Sequence, residues 1–98
     1  MAEIVWTVPA LNEINDIADY ISLSNQNVAE KLVTSIFETI ERLESHPESG
    51  KVPAEIPTLN YRKIVVNPCR IFYKFESDKV FILHVMRQEQ DLRRFLLT

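Results

Sequence analysis

The chain has 98 residues, with 14 acidic and 11 basic side chains, a formal net charge of −3 and one cysteine, Cys69. This length predicts a single domain over residues 1–98, and the lone cysteine excludes an internal disulfide bond and a multi-cysteine metal site, which fits a reducing compartment. There is no export signal and no apolar run of membrane-spanning length, so we expect a cytoplasmic protein that does not enter the membrane.

The first half predicts a short strand followed by a helical hairpin. Residues 3–7 favour a strand, and Pro9 suits the first turn of a helix because its missing N–H has no helical partner there. The apolar residues of this helix recur at helical spacing, and three acids occupy its polar face: Leu11, Ile14, Ala18, Ile21, Glu13, Asp16 and Asp19. Asn25 or Asn27 can cap a second helix, predicted from about Gln26 to Ser45.

A long loop is predicted after the second helix. Pro47 disfavours helical geometry at His46, so the helix ends there and His46 is interpreted as a loop residue. Gly50 is the single glycine of the chain, and it is the residue available for an unusual backbone angle. The loop continues past Pro53 and Pro57 and is long enough to be a binding loop.

Three runs of β-branched and aromatic residues then predict an antiparallel meander. Asn67-Pro68 is interpreted as the first turn between these runs. Centring that turn on Asn67-Pro68 places Arg70 opposite Val65 and Phe72 opposite Lys63. This pairing puts Lys63 and Arg70 on the same face of the sheet.

The second predicted turn covers Glu76 to Lys79. When it is centred between Ser77 and Asp78, Arg70 lies opposite Val85. Arg87 then becomes a diagonal neighbour of Arg70, at roughly 7–8 Å on the same face. The prediction depends on the turn, because a slip of one residue moves every side chain of a strand to the other face.

These registers divide the meander into two faces. The mixed face carries cations among apolar side chains: Lys63, Arg70, Lys74, Arg87, Phe72, Phe81, Leu83 and Val85. The other face is almost entirely apolar: Ile64, Ile71, Tyr73, Phe75, Val80, Ile82 and His84. We expect the apolar face to pack on the rest of the domain and the mixed face to stay accessible, with His84 a hydrogen-bonded core residue.

Basic residues concentrate in this second half. Residues 1–50 carry a net charge of −7 and residues 51–98 carry +4, so an anionic target would meet the second half. After the meander, residues 88–97 have the spacing of a short tail helix. The predicted order is therefore βααβββ with a tail, an α+β fold in which a helical hairpin packs on a mostly antiparallel sheet.

Residues throughout the chain match one pattern in order and spacing: Trp6, Ala10, Ala18 to Ile21, Ala29, Leu32, Ile36, Ile40, Leu43, Pro47, Gly50, Arg62, Arg70 to Tyr73, Ile82 to Val85 and Arg87. With these residues the chain resembles the RelE/ParE superfamily of bacterial type II toxins, which are encoded beside antitoxins. RelE-like members cut messenger RNA on the ribosome. ParE-like members poison DNA gyrase by trapping its DNA-cleavage complex.

The resemblance also implies which residues would form a nuclease site. RNA cleavage needs groups that move protons and that stabilise charge on phosphorus. Arg70 and Arg87 match the phosphate-stabilising arginines of the superfamily, and Lys63 lies near one of its lysines. The tail tyrosine of RelE-like enzymes, however, falls at Arg93. A second lysine of that site is replaced by Tyr61 or Arg62.

Because the tail tyrosine and one lysine of the nuclease site are missing, the resemblance favours the ParE-like branch. The acidic net charge favours it too, because a ribosome-bound nuclease is usually strongly basic. The resemblance then implies a gyrase-binding inhibitor without catalytic residues, whose candidate target contacts are Arg62, Arg70, Arg87, Arg93 and Arg94. A ribosome-dependent endoribonuclease is the alternative, using Arg70, Arg87, Lys63 and His84. A remnant that only binds antitoxin is a third possibility.

The resemblance implies a cognate antitoxin as a partner. A partner helix can lie on the helical hairpin, and an extended segment can add to a sheet edge. Phe81, Leu83 and Val85 are too apolar for a bare surface, so we expect the C-terminal tail, the antitoxin or a second copy to cover part of that face, and these three residues are candidate antitoxin contacts. A homodimer and a toxin–antitoxin hetero-oligomer both stay open. No metal or cofactor is expected, because the sequence has no clustered ligands and no phosphate-cradling glycine loop.

Overall fold

The computed structural model describes residues 1–55 and 57–89. In these ranges the elements are β1 (Glu3–Trp6), α1 (Val8–Ser22), α2 (Gln26–Glu41), a 3₁₀ turn (Arg42–Glu44), β2 (Arg62–Val66), β3 (Cys69–Glu76) and β4 (Lys79–Arg87). The predicted order βααβββ and the α+β class are confirmed. The predicted tail helix falls mainly on residues 90–98, outside the described residues. No helix within the described ranges is long and apolar enough to cross a membrane.

Both helices begin at a side-chain cap. The Thr7 hydroxyl accepts a hydrogen bond from the N–H of Ala10 at 3.4 Å and donates one to the Ile82 carbonyl at 2.6 Å. Asn25 accepts a bond from the Val28 N–H at 3.1 Å, so Asn25 is the cap that the sequence offered for α2. Thr7 therefore caps α1 and also ties its start to β4.

One sheet carries the two helices on one of its faces. The strand order is β1-β4-β3-β2, with β1 parallel to β4 and the other pairs antiparallel. The core residues come from both helices and from the sheet face beneath them, and include Ala10, Ile14, Leu32, Ile36, Ile40, Leu43, Ile71, Tyr73, Val80, Ile82 and Val85. Leu11 was predicted for the apolar stripe of α1 but is exposed, and Ala10 takes the core position.

The predicted register of β2 with β3 is confirmed. Lys63 pairs with Phe72, and Val65 pairs with Arg70. The predicted turn between β3 and β4 is confirmed too, since Ser77 and Asp78 occupy its two central positions with φ angles of 53° and 61°. Positive φ at both central residues matches the twist of a two-residue hairpin.

The register of β3 with β4 follows the prediction only for half of the hairpin. Tyr73 pairs with Ile82 as predicted, but a bulge follows, and Phe72 then pairs with His84. Leu83 is the extra residue in β4. From there to the end of the strand the pairing is shifted by one residue, so Arg70 lies opposite Met86 and not opposite Val85 as predicted.

The bulge inverts the facing of the last residues of β4, and three predicted placements are therefore wrong. Val85 lies in the core with 1% of its surface exposed, and not on the mixed face. His84 lies opposite Phe72, on the face predicted to be mixed, and not on the core face. Arg87 pairs with the buried core residue Cys69, so it leaves the mixed face predicted for it and lies on the helix-bearing face. A single inserted residue is enough to reverse the facing of the residues that follow it, because strand side chains alternate between the two faces.

Candidate functional site

Arg70 lies in β3, where a carboxylate of the chain itself neutralises it. Its Nη1 is 2.5 Å from Oε2 of Glu55 in the long loop, and its guanidinium carbon lies 5.2 Å from the centroid of the Phe72 ring. The exposed fractions of the Arg70 and Glu55 side chains are 12% and 23%. This predicted site residue is therefore partly covered and already paired.

The charge of Glu55 is stabilised by two cations. Burial by itself would raise the pKa of this carboxyl, but the hydrogen bond and charge of Arg70 and the charge of Lys63 lower the pKa below its ordinary value of 4.5. Glu55 is therefore ionised at neutral pH. The loop, β2 and β3 each supply one of the three charges.

The ion pair makes the stability of the fold depend on pH. A lowered pKa means that the stabilising contribution of Glu55 is present above the ordinary pKa of 4.5 and is lost as the pH falls through the lower folded value. We expect Glu55→Gln to cost about 1.5–3 kcal/mol of unfolding free energy at pH 7, and less at pH 3. Urea unfolding of both proteins at the two pH values measures the difference, and an equal cost at both would contradict the pairing.

Arg87 lies on the opposite face of the sheet from Arg70, beside α1. Its guanidinium carbon is 5.4 Å from the centroid of the Tyr20 ring, and its Nε is 3.1 Å from a carboxylate oxygen of Glu89. With Asp16, Ile17 and Tyr20 it lines a surface hollow of about 290 Å³. Arg87 is 39% exposed and Tyr20 is 64% exposed, so both can reach a partner.

Arg62 fastens the loop that follows α2. One of its guanidinium nitrogens, Nη1, donates to the carbonyls of Glu48 and Gly50 at 3.1 and 2.9 Å, and the other, Nη2, lies 3.6 Å from the Glu48 carboxylate. Gly50 in turn donates its N–H to the hydroxyl of Tyr73 at 2.8 Å. Arg62 is therefore already engaged within the fold. The predicted target contacts Arg93 and Arg94 lie outside the described residues.

Gly50 is required by close approach. A Cβ at this position would lie 2.6 Å from the Tyr73 hydroxyl oxygen and 2.8 Å from the Lys63 carbonyl oxygen, closer than real Cβ contacts allow. The φ angle of Gly50 is not positive, so the unusual backbone angle expected from the sequence does not explain why glycine is required here. The loop is held against β2 and β3 at a distance that only glycine permits.

The predicted antitoxin contacts differ in accessibility. Phe81 and Leu83 are half-buried. Lys74 pairs with Phe81 and lies 5.5 Å from the centroid of its ring, which places Lys74 and Phe81 on the mixed face as predicted. Val85 is buried in the core beneath the helices. Of this group, Phe81 and Leu83 remain available to a partner in the fold as it stands.

Glu13 is a residue whose role the sequence reasoning missed. It was assigned to the polar face of α1, yet its side chain is mostly buried and accepts a hydrogen bond from the Val85 N–H at 3.0 Å. Its other oxygen lies 3.3 Å from Nδ1 of His84. β1 pairs with β4 only from Lys79 to Ile82, so Val85 lies beyond that pairing. Glu13 replaces the missing strand partner there.

The described residues contain no group of three or more histidine, cysteine or acidic side chains that could hold a metal ion. The arginines described above each lie beside a carboxylate of the chain. Arg70 and Arg87 act on opposite faces, and the arrangement favours binding surfaces over one converging phosphate site.

Comparison with known proteins identifies several similar chains. Residues 4–92 match the model of a family described as the ParE toxin of the type II toxin-antitoxin system, parDE. The chain is 28% identical over 87 residues to Toxin RelE2 of Caulobacter vibrioides, which covers 89% of this chain and 92% of that protein.

Two solved structures share the fold at lower sequence identity. The chromosomal ParDE system of P. aeruginosa matches with a TM-score of 0.75 and 22% identity, over 91% of this chain and 98% of that one. The isolated E. coli RelE toxin matches with a TM-score of 0.57 and 17% identity, over 99% of this chain and 95% of that one. These two similarities concern the fold alone.

Proposed function

Because this chain belongs to the ParE family of type II toxins, we propose that it inhibits growth by binding and poisoning DNA gyrase. A toxin of a toxin–antitoxin system has a cognate antitoxin as its partner, and in this proposal the antitoxin blocks access to gyrase. The target lies beyond what family membership establishes. The geometry of the cationic residues supports the choice of gyrase as the target.

The separation of Arg70 from Arg87 is the observation that carries this proposal. RNA cleavage needs preorganised cations aimed at one phosphate as charge develops on it. Here Arg70 is paired with Glu55, and Arg87 lies across the sheet beside Tyr20. A pair so placed supports binding of a macromolecular target better than RNA cleavage.

Arg87 and Tyr20 are the target contacts that we favour among the described residues. Arginine and tyrosine are enriched among the residues that dominate protein interfaces. Tyr20 is exposed, the Arg87 side chain is 39% exposed, and the guanidinium carbon lies 5.4 Å from the centroid of the ring. Arg62 and Arg70 are engaged within the fold, which weakens them as contacts. Arg93 and Arg94 stay proposed target contacts.

For the antitoxin we propose two docking elements. One is the exposed side of the α1–α2 hairpin, which suits a partner helix. The other is a sheet edge, where an added strand would pair with backbone groups that a neighbouring strand does not use. Phe81 and Leu83 are proposed as side-chain contacts, whereas the burial of Val85 argues against it.

We expect the purified protein to inhibit DNA supercoiling by gyrase and to increase the amount of trapped cleavage complex. Arg87→Ala should weaken inhibition about tenfold, as loss of a dominant interface residue does. Lys79→Ala is the matched control, because Lys79 is an exposed cation at the other end of β4. Concentration series in supercoiling and cleavage assays measure both variants.

The control should stay within about twofold of the parent protein, and added antitoxin should restore supercoiling. Circular dichroism checks that Arg87→Ala is folded. An absence of any effect on gyrase at micromolar protein would overturn the proposed target. Equal losses in Arg87→Ala and Lys79→Ala would instead point to a diffuse charge effect.

A ribosome-dependent endoribonuclease is the second candidate, favoured by the similarity to Toxin RelE2 and by the pairing of His84 with Glu13. A carboxylate that orients a histidine is a known arrangement for proton transfer. Mapping transcript ends after induction separates the two candidates, because only the nuclease would leave cuts linked to codons. Normal growth after induction would favour an antitoxin-binding remnant.

A further inference from the structure

The ion pair of Arg70 and Glu55 has the composition of an occupied anion site. The guanidinium lies over the Phe72 ring and donates to the carboxylate at 2.5 Å. Lys63 pairs with Phe72 across the strands, so Arg70 is its diagonal neighbour at roughly 7–8 Å. Two cations from the sheet thus face one carboxylate from the loop.

The occupant of this site comes from a segment outside regular secondary structure. Glu55 lies in the loop between the 3₁₀ turn and β2. Another carboxylate can take the place of Glu55 and accept the same hydrogen bond from Arg70. Displacement of Glu55 therefore exchanges one charged contact for another. Arg70 and Lys63, in contrast, are held in paired strands.

We propose that Arg70 and Lys63 form a carboxylate-binding site, which Glu55 fills in the isolated chain and which an aspartate or glutamate of a protein partner fills by displacing Glu55. The site favours a carboxylate over a phosphate because the Glu55 carboxylate already covers Arg70, which is only 12% exposed with Glu55 in place. A planar carboxylate is also the group that already fits it. The inference does not depend on which macromolecule the toxin inhibits.

Acetate can test the site once Glu55 has been truncated. In Glu55→Ala we expect 200 mM acetate to raise the melting temperature by about 3–6 °C more than chloride at equal ionic strength, in a saturable way. The parent protein should respond equally to both salts. Glu48→Ala is the matched control, because it removes a loop carboxylate that pairs with Arg62. Glu55→Ala/Arg70→Met should lose the response.

Hexaglutamate tests displacement by a peptide. Glu55→Gln keeps the size of the side chain but removes the competing charge, so it should bind hexaglutamate about tenfold more tightly than the parent protein does. Adding Arg70→Met should abolish that gain. Titration followed by the side-chain NMR signal of Arg70 Nε–H measures binding at the site itself.

Three outcomes would overturn the proposal. One is an equal response of Glu55→Ala to acetate and chloride. Another is stronger stabilisation of that variant by phosphate than by acetate, which would assign the site to a nucleic-acid backbone. The third is equal binding of hexaglutamate by Glu55→Gln and the parent protein. If Glu55→Ala fails to fold, the titration of Glu55→Gln alone tests the site. Neither experiment uses gyrase, so both are independent of the test of the proposed target.

Discussion

Gly50→Ala should lower the free energy of unfolding by about 2–4 kcal/mol, because it adds a methyl group where there is no room and disturbs a buried hydrogen bond. The added Cβ would lie 2.7 Å from a ring carbon of Tyr73 and 2.8 Å from the Lys63 carbonyl oxygen. One of these neighbours is backbone within a strand, so it cannot rotate away. Urea unfolding followed by far-UV circular dichroism measures the loss.

The neighbouring exposed residue provides the control for Gly50. Lys51→Ala should change the unfolding free energy by less than about 0.5 kcal/mol, because it truncates an exposed side chain and leaves the backbone pairing with Lys63 in place. Gly50→Ala/Tyr73→Phe should recover only part of the loss, since the carbonyl of Lys63 still obstructs the methyl group. A Gly50→Ala protein as stable as the parent would contradict this close approach.

Glu13→Ala should cost about 1.5–3 kcal/mol, the usual effect of removing a charged hydrogen-bonding partner from a mostly buried position. The change leaves the Val85 N–H without this acceptor at the edge of β4 and removes the carboxylate beside His84. We expect the amide hydrogen of Val85 to exchange at least about tenfold faster, because a local opening of the strand edge would then expose it without unfolding of the whole domain. Urea unfolding and hydrogen exchange by NMR measure the two effects.

Two further variants separate the contributions of Glu13. Glu13→Gln keeps an acceptor for the Val85 N–H but loses the charge, so its cost should be smaller than that of Glu13→Ala. Asn12→Ala, at an exposed position of the same helix turn, should stay within about 0.5 kcal/mol of the parent protein. Unchanged exchange of Val85 in Glu13→Ala would show that another group caps this strand edge.

Local patterns account for most of the fold that could be predicted. Asn25 was recognisable as a helix cap, and the Asn67-Pro68 turn gave the correct pairing of β2 with β3. The Ser77-Asp78 turn gave the correct pairing as far as Tyr73 and Ile82. These features could be predicted because each depends on residues that are close together in the chain.

The bulge at Leu83 had no such local signal. Leu83 follows Ile82 in an uninterrupted apolar run that would suit a regular strand. Nothing in that run marks an extra residue, yet the shift reverses the facing of His84, Val85 and Arg87. The predicted cluster of Arg70 with Arg87 was wrong for this reason.

The contacts between distant segments could not be predicted from the sequence either. Glu13 and Val85 are 72 residues apart, and Arg70 and Glu55 are 15 residues apart. Glu13 has the spacing of a solvated helix residue, and Glu55 that of an ordinary loop acid. Their roles follow from the docking of α1 beside β4 and of the loop over β3, which depends on many contacts at once.

The sequence by itself therefore determined the order of the elements, their caps and turns, the α+β class and the toxin superfamily, because these properties lie in local spacing and in short motifs. Only the tertiary structure decided that Arg70 and Arg87 lie on opposite faces and that Glu55 occupies the cationic site. The physical reason is that side-chain facing in a strand has a period of two, so one bulged residue changes which charges meet.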